Sequence, residues 1–256
     1  VAAWLQEGGV ETARMTTEQV ADPDCFPADR FDALMLQGGA FPEANLAAYL
    51  RFLDAGGVLV ALAAPNGFEI KIAQDRNGIW RLAPEAPPFA WQTEAVHHHV
   101  GLEFRWQTDM VCAGVRHAPS DLWRACLPEA TEVERPLPAR WFVPIADGAI
   151  HPLMRSRMAT GEDYTPQIFV ARRGTRRAIV CASGLWTGGP GADPSVWPHA
   201  RATVLALARL ARDLRLGHVD LSGQATVQPP TEIVSPPPLA FRGIAVGIDP
   251  EGARPL

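Results

Sequence analysis

Residues 31–65, FDALMLQGGAFPEANLAAYLRFLDAGGVLVALAAP, constrain the fold more than any other stretch of the chain. Two short apolar runs, Asp32–Leu36 and Val58–Leu62, flank an amphipathic segment at Leu46–Asp54, and a glycine pair closes each joint at Gly38-Gly39 and Gly56-Gly57. Brief, continuous apolar runs suit strands buried on both faces, and such strands belong to parallel sheets crossed by helices. A glycine just after a helical segment supplies the left-handed residue that stops it. The stretch therefore predicts strand, turn, helix, turn, strand, which is half of a nucleotide-type α/β unit.

The flanking sequence extends this pattern. Val1–Gly8 reads as helix, Val10–Met15 as strand, and Thr17–Val20 as a loop or a single helical turn. Gln167–Ala171 and Arg177–Ala182 read as two strands joined by a hairpin turn through Arg172–Arg176. Pro198–Leu214 reads as a closing helix, with Pro198 at its first turn and Val204, Leu205, Leu207, Ala208 and Leu210 as its buried stripe. Residues 68–160 depart from this regularity. Ile70–Ile72 and Gly78–Leu82 suggest a hairpin around Asp75-Arg76-Asn77-Gly78, and Trp91–His99 suggests a helix. The Trp- and Pro-rich remainder up to Ile145 has no clean period. This middle region is expected to be an insertion laid over one edge of the sheet.

The phrase DALMLQGGAFP, the helix LAAYLRFLDAGG and the strand running into Ala63-Ala64-Pro65-Asn66-Gly67 resemble the class I glutamine-amidotransferase-like fold. The resemblance is to the divergent versions attached to glycoside hydrolases of the β-galactosidase type, and it spans roughly residues 1–215. It implies an α/β, three-layer, flavodoxin-like fold with a mostly parallel central sheet and an elaborated middle insertion, occupying residues 1–220. Such domains open with a strand that is not visible here, so the chain reads as a fragment cut inside the domain. Residues 221–256 read as a stiff proline-rich linker, through Pro229-Pro230 and Pro236-Pro237-Pro238, and the start of a following domain at Phe241–Ile248.

Catalytic members of that family place a cysteine on the turn after the second strand and a His-x-Glu phrase after the last core strand. The resemblance puts the nucleophile at Ala64, which carries neither thiol nor hydroxyl. After Ile179–Ala182 the chain reads Ser183-Gly184-Leu185-Trp186, and the nearest histidine, His199, has only Asp193 close by. The implied role is a non-catalytic accessory domain of a larger carbohydrate-active protein, acting in docking, oligomerisation or the lining of a sugar site. No cofactor is expected; the expected partners are adjacent domains of the same polypeptide, carbohydrate, and a second copy of the chain.

Two other classes of function stay open on the residues alone. A hydrolase could use Glu43 and Glu69 as acid and base, since both fall near the same end of the sheet. A sugar- or small-molecule-binding module could use Gly38, Gly39 and Asn66 at the turns, with Trp186 and Trp197 as stacking platforms beside the carboxyl ends of the strands. His97-His98-His99 do not make a metal site, because successive residues on a helix point about 100° apart. No metal is assigned. A formal net charge of -5 argues against a nucleic-acid groove. No apolar run approaches the roughly 20 residues of a membrane-spanning helix. Cys25, Cys112, Cys126 and Cys181 show no metal-like spacing, and Cys181 reads as a small core residue.

Overall fold

A computed structural model describes residues 1–37, 40–63, 70–82, 95–96, 104–144, 147–158, 161, 165–189, 191–224 and 226–227. The expectations at Gly38, Gly39, Ala64, Asn66, Glu69, His97-His98-His99 and Phe241–Ile248 lie outside these residues. In chain order the elements are α1 (Ala2–Glu7), α2 (Thr17–Ala21), β1 (Ala33–Gln37), β2 (Ala40–Pro42), α3 (Leu46–Asp54), β3 (Val58–Leu62), β4 (Ile70–Gln74), β5 (Trp80–Leu82) and β6 (Ala95–Val96). They continue with β7 (Phe104–Pro119), α4 (Asp121–Cys126), β8 (Val133–Pro144), β9 (Ala149–Met158), β10 (Thr165–Arg173), β11 (Arg176–Cys181) and α5 (Ala200–Leu216).

The 31–62 unit folds as its sequence predicts. β1 and β3 pair in parallel from Ala33 opposite Val58 to Gln37 opposite Leu62, with α3 as the crossover. β3 is buried along its whole length because both of its faces are covered. Leu59 and Ala61 pack with Tyr49, Phe52 and Leu53 of α3, while Val58, Val60 and Leu62 pack with Leu207, Leu210 and Leu214 of α5. A strand's period of two divides one apolar run between two cores in this way. At the end of α3 the two glycines do different work. Gly56 takes φ +86°, and Gly57 leaves room for the Phe52 ring, which would lie 2.3 Å from a β-carbon placed there.

The sheet as a whole is mixed, and this corrects the expectation of a mostly parallel one. Its order is β1-β3-β11-β10-β9-β7-β6, with β8 also paired to β7. β1–β3 and β3–β11 are parallel, but β11–β10, β10–β9, β9–β7, β7–β8 and β7–β6 are antiparallel. The reason is local connection length: β10 and β11 are joined through Gly174 and Thr175, and so tight a turn can join only antiparallel neighbours. Much of the middle region therefore continues the sheet as β7, β8 and β9 rather than lying over its edge. A separate small sheet, β2-β4-β5, contains the Asp75–Gly78 hairpin.

Two further expectations change. Val10–Met15 forms no strand, and β1 is left as an edge of the sheet. Ala95–Val96 forms a two-residue strand against Arg105 and Trp106 instead of helix. The closing helix starts at Ala200, two residues later than read, and stops at Gly217 with φ +72°. Arg215 ties its last turn to the chain entering β1: the guanidinium donates to the carbonyls of Phe31 at 2.7 Å and Asp29 at 3.2 Å, and lies over the Phe52 ring. Placing a cation at a helix carboxyl end also suits the helix dipole.

Candidate functional site

In open α/β sheets, ligands bind at the carboxyl ends of the parallel strands. Here that end is formed by Gln37 of β1, Leu62-Ala63 after β3, and the chain leaving β11 at Ser183. The small sheet belongs to this end too, because β2 follows β1 directly and β4 follows β3.

Ala63 is the structural anomaly of the site. It holds φ +52°, the only positive φ at a non-glycine among the described residues. An L-residue in this region costs about 1–2 kcal/mol, and such outliers concentrate at functional turns. The strained residue stands one position before Ala64, which itself lies outside the described residues. Ala63 presents a methyl group, which supplies no nucleophile.

The chain leaving β11 packs against half-buried Ala63. The segment after β11 forms a 3-10 turn, Gly184–Thr187, capped by the Ser183 side chain accepting from the Leu185 N–H. It returns so tightly that a β-carbon on Gly189 would lie 3.3 Å from the Ala63 methyl. The one thiol at the elbow comes from a different strand. Cys181 Sγ donates to the Ser183 carbonyl at 3.4 Å. Burial pushes this thiol up to about 12, so it stays protonated and cannot act as a nucleophile at neutral pH.

The tryptophans read as sugar platforms are core residues, and this corrects their assignment as ligand contacts. Trp186 is fully buried and Trp197 is 2% exposed. Their rings meet edge to face with centroids 5.0 Å apart. The indole N–H of Trp186 donates to Gln167 at 3.4 Å, and that of Trp197 to Thr203 at 3.0 Å. Neither indole has an open face for stacking.

Of the two carboxylates, Glu43 opens a 3-10 turn, Glu43–Asn45, just before α3, where a negative charge suits the helix amino end. Its proposed mate Glu69 lies outside the described residues. His199 caps the start of α5 and meets the edge of Trp197. Asp193 does not orient it, because that carboxylate is taken up by Ser195 and Arg135. These contacts hold Asp193 well below the usual carboxylate range. Among the described residues no cluster of three His, Cys, Asp or Glu side chains could hold a metal ion.

One polar pair was illegible in the sequence. His117 on β7 and Ser156 on β9 are both fully buried, and His117 Nδ1 lies 2.7 Å from Ser156 Oγ. His117 Nε2 lies 2.9 Å from the Arg135 carbonyl, which fixes the tautomer: Nε2–H donates to the carbonyl and Nδ1 accepts from the serine. Gly114 makes room, since a β-carbon there would be 3.1 Å from both side chains. The residues lie 39 apart on separate strands, so no local spacing signals them. Enclosed in this way the serine has no route to a substrate, and the pair pins β7 to β9.

Burial holds the His117 imidazole below its ordinary value of 6.5. The folded chain therefore binds this proton less readily than the unfolded chain. Stability is complete above about pH 6.5 and falls as pH drops through that value toward the lower folded one. Urea midpoints measured from about pH 8 to pH 5 are expected to decline below pH 6.5, and His117→Gln to flatten that decline. An equal slope in the variant would show that another group is responsible.

No family model matches this chain, and no curated protein shows significant similarity to it.

Proposed function

We propose that this chain is a non-catalytic, amidotransferase-like accessory domain of a larger carbohydrate-active protein of the β-galactosidase type. The reading takes β1–α3–β3 and β11–α5 as the core of a three-layer, flavodoxin-like fold whose antiparallel half is an elaboration. The observation that carries it is Ala63: an elbow backbone at φ +52°, maintained at an energetic cost, around a side chain that can attack nothing. The absence of a His-x-Glu phrase after β11, where Trp186 faces inward, and the close approach of Gly189 to Ala63 support the same conclusion. The domain's contribution is then docking, oligomerisation or the lining of a neighbouring sugar site. The family assignment is an analogy of fold and motif, and function must be tested at the site.

The test has two arms. The polypeptide encoded by the whole reading frame is expected to hydrolyse an aryl β-galactoside, and this chain alone to release no ammonia from glutamine and to turn over no glycoside. Ammonia release would overturn the reading. So would glycoside turnover by this chain alone that Glu43→Gln removes, which would favour the hydrolase alternative.

A sugar-binding module is supported by one observation. Trp80, at the end of the β4–β5 hairpin, is 43% exposed, and Ile79 beside it is 50% exposed. If Trp80 is the platform, glycan-dependent quenching of fluorescence is lost in Trp80→Ala; a flat titration removes this second reading.

A further inference from the structure

The β10–β11 hairpin carries four arginines, and the fold treats them in two ways. Strand alternation puts Arg173 and Arg176 on the face of α3, and Arg172 and Arg177 on the face of α5, in line with Val170 and Ile179. The first pair is neutralised. Arg173 meets Asp147 at 2.6 Å, and Arg176 grips Asp54 through two nitrogens at 2.7 and 3.0 Å.

The second pair is not. Arg172 and Arg177 are direct cross-strand partners, and both are half-buried. Directly opposed residues have β-carbons about 5 Å apart, and like charges so placed repel. Among the described residues no carboxylate comes within 4.0 Å of either guanidinium, and neither donates a hydrogen bond to the protein. Asp220 acts on Arg172 from beyond ion-pair distance and is itself held by the Ser222 N–H and hydroxyl. Asp220 lies between Val219 and Leu221, both packed into the core on this face, so the 219–221 segment runs beside the pair. Partial burial together with the charge of Arg172 depresses the Arg177 pKa, as expected for a cation lacking its counter-charge.

Two neighbouring forks of N–H donors, partly desolvated and without an acceptor among the described residues, suit a tetrahedral oxyanion. We propose that Arg172 and Arg177 form a binding site for phosphate or sulfate, free or carried on a larger ligand. The register partners Val58 and Ala149 place it at the amino end of β3, away from the Ala63 elbow. It does not depend on the accessory-domain reading.

The test is calorimetric titration and thermal unfolding of the chain with inorganic phosphate, with sodium chloride at matched ionic strength as control. Saturable heat is expected, with a rise in Tm of about 2–4 °C well above the dissociation constant. Both are expected to disappear in Arg177→Gln and to weaken in Arg177→Lys, which keeps the charge and loses the fork. Without phosphate, Arg177→Gln should be no less stable than the parent, because it relieves a repulsion. Should that variant fail to fold, absence of heat on titrating the unmodified chain would still overturn the proposal. An equal Tm rise in parent and variant would do the same, since it would mark a general salting effect. Tighter binding of a phosphate monoester than of free phosphate would assign the site to a ligand-borne group, and the reverse to the free ion.

Discussion

Trp186→Ala is expected to lower unfolding free energy by about 3–5 kcal/mol, the range for emptying a buried aromatic site. The side chain is fully buried, with its ring edge-on to Trp197 at 5.0 Å and to His117 at 5.8 Å. Truncation removes both aromatic contacts and leaves a cavity between the turn after β11 and the sheet. That turn also covers Ala63, so the loss should spread to the elbow. Denaturant unfolding monitored by far-UV circular dichroism gives the number. A change below about 1 kcal/mol, typical of a surface substitution, would show that Trp186 is not a core residue. Combined with lost sugar binding, that outcome would restore the platform role read from the sequence.

Gly57→Ala carries the second large effect. A methyl there meets the Phe52 ring at 2.3 Å, well inside van der Waals contact. Phe52 has no exposed surface and is held by Phe26 at 5.1 Å and by Arg215 above its ring. The ring cannot swing out without disturbing both. Overpacking of this kind costs about 1–3 kcal/mol, and a rigid neighbour pushes toward the upper end. Phe52→Leu should recover part of that loss in the Gly57→Ala background while destabilising the parent. Simple additivity of the two changes would show that ring and methyl do not meet.

The same pair of residues shows how far local sequence reaches. A glycine pair after an amphipathic stretch announced the end of α3, and Gly56 does take the left-handed conformation. That Gly57 serves a phenyl ring five residues earlier is a packing fact, absent from any turn rule. Likewise the short apolar run at 58–62 announced a strand buried on both faces. The hairpin at 167–182 was equally legible, but the expectation of a mostly parallel sheet failed because β7, β8 and β9, which extend the sheet by antiparallel pairing, lie in a region too irregular to read as strands. Their bulges break the period of two on which such reading depends.

The candidate site divides along the same line. The lack of a thiol or hydroxyl after β3 and of a histidine phrase after β11 was plain from residue types alone. The tryptophans were misplaced, because a loop tryptophan looks the same in sequence whether its ring faces solvent or the core. Burial of Trp186 and Trp197 depends on where α5 and the turn after β11 dock on the sheet.

The sequence by itself determined the α/β class, the β1–α3–β3 unit, the closing helix and the chemical emptiness of the elbow, since each follows from residue type or short-range periodicity. The tertiary structure alone decided the mixed sheet, the strained Ala63, the buried His117–Ser156 pair and the placing of two unneutralised, half-buried arginines on one face. Those features join residues distant in sequence, and only the packing of strand on strand and helix on sheet brings them within reach.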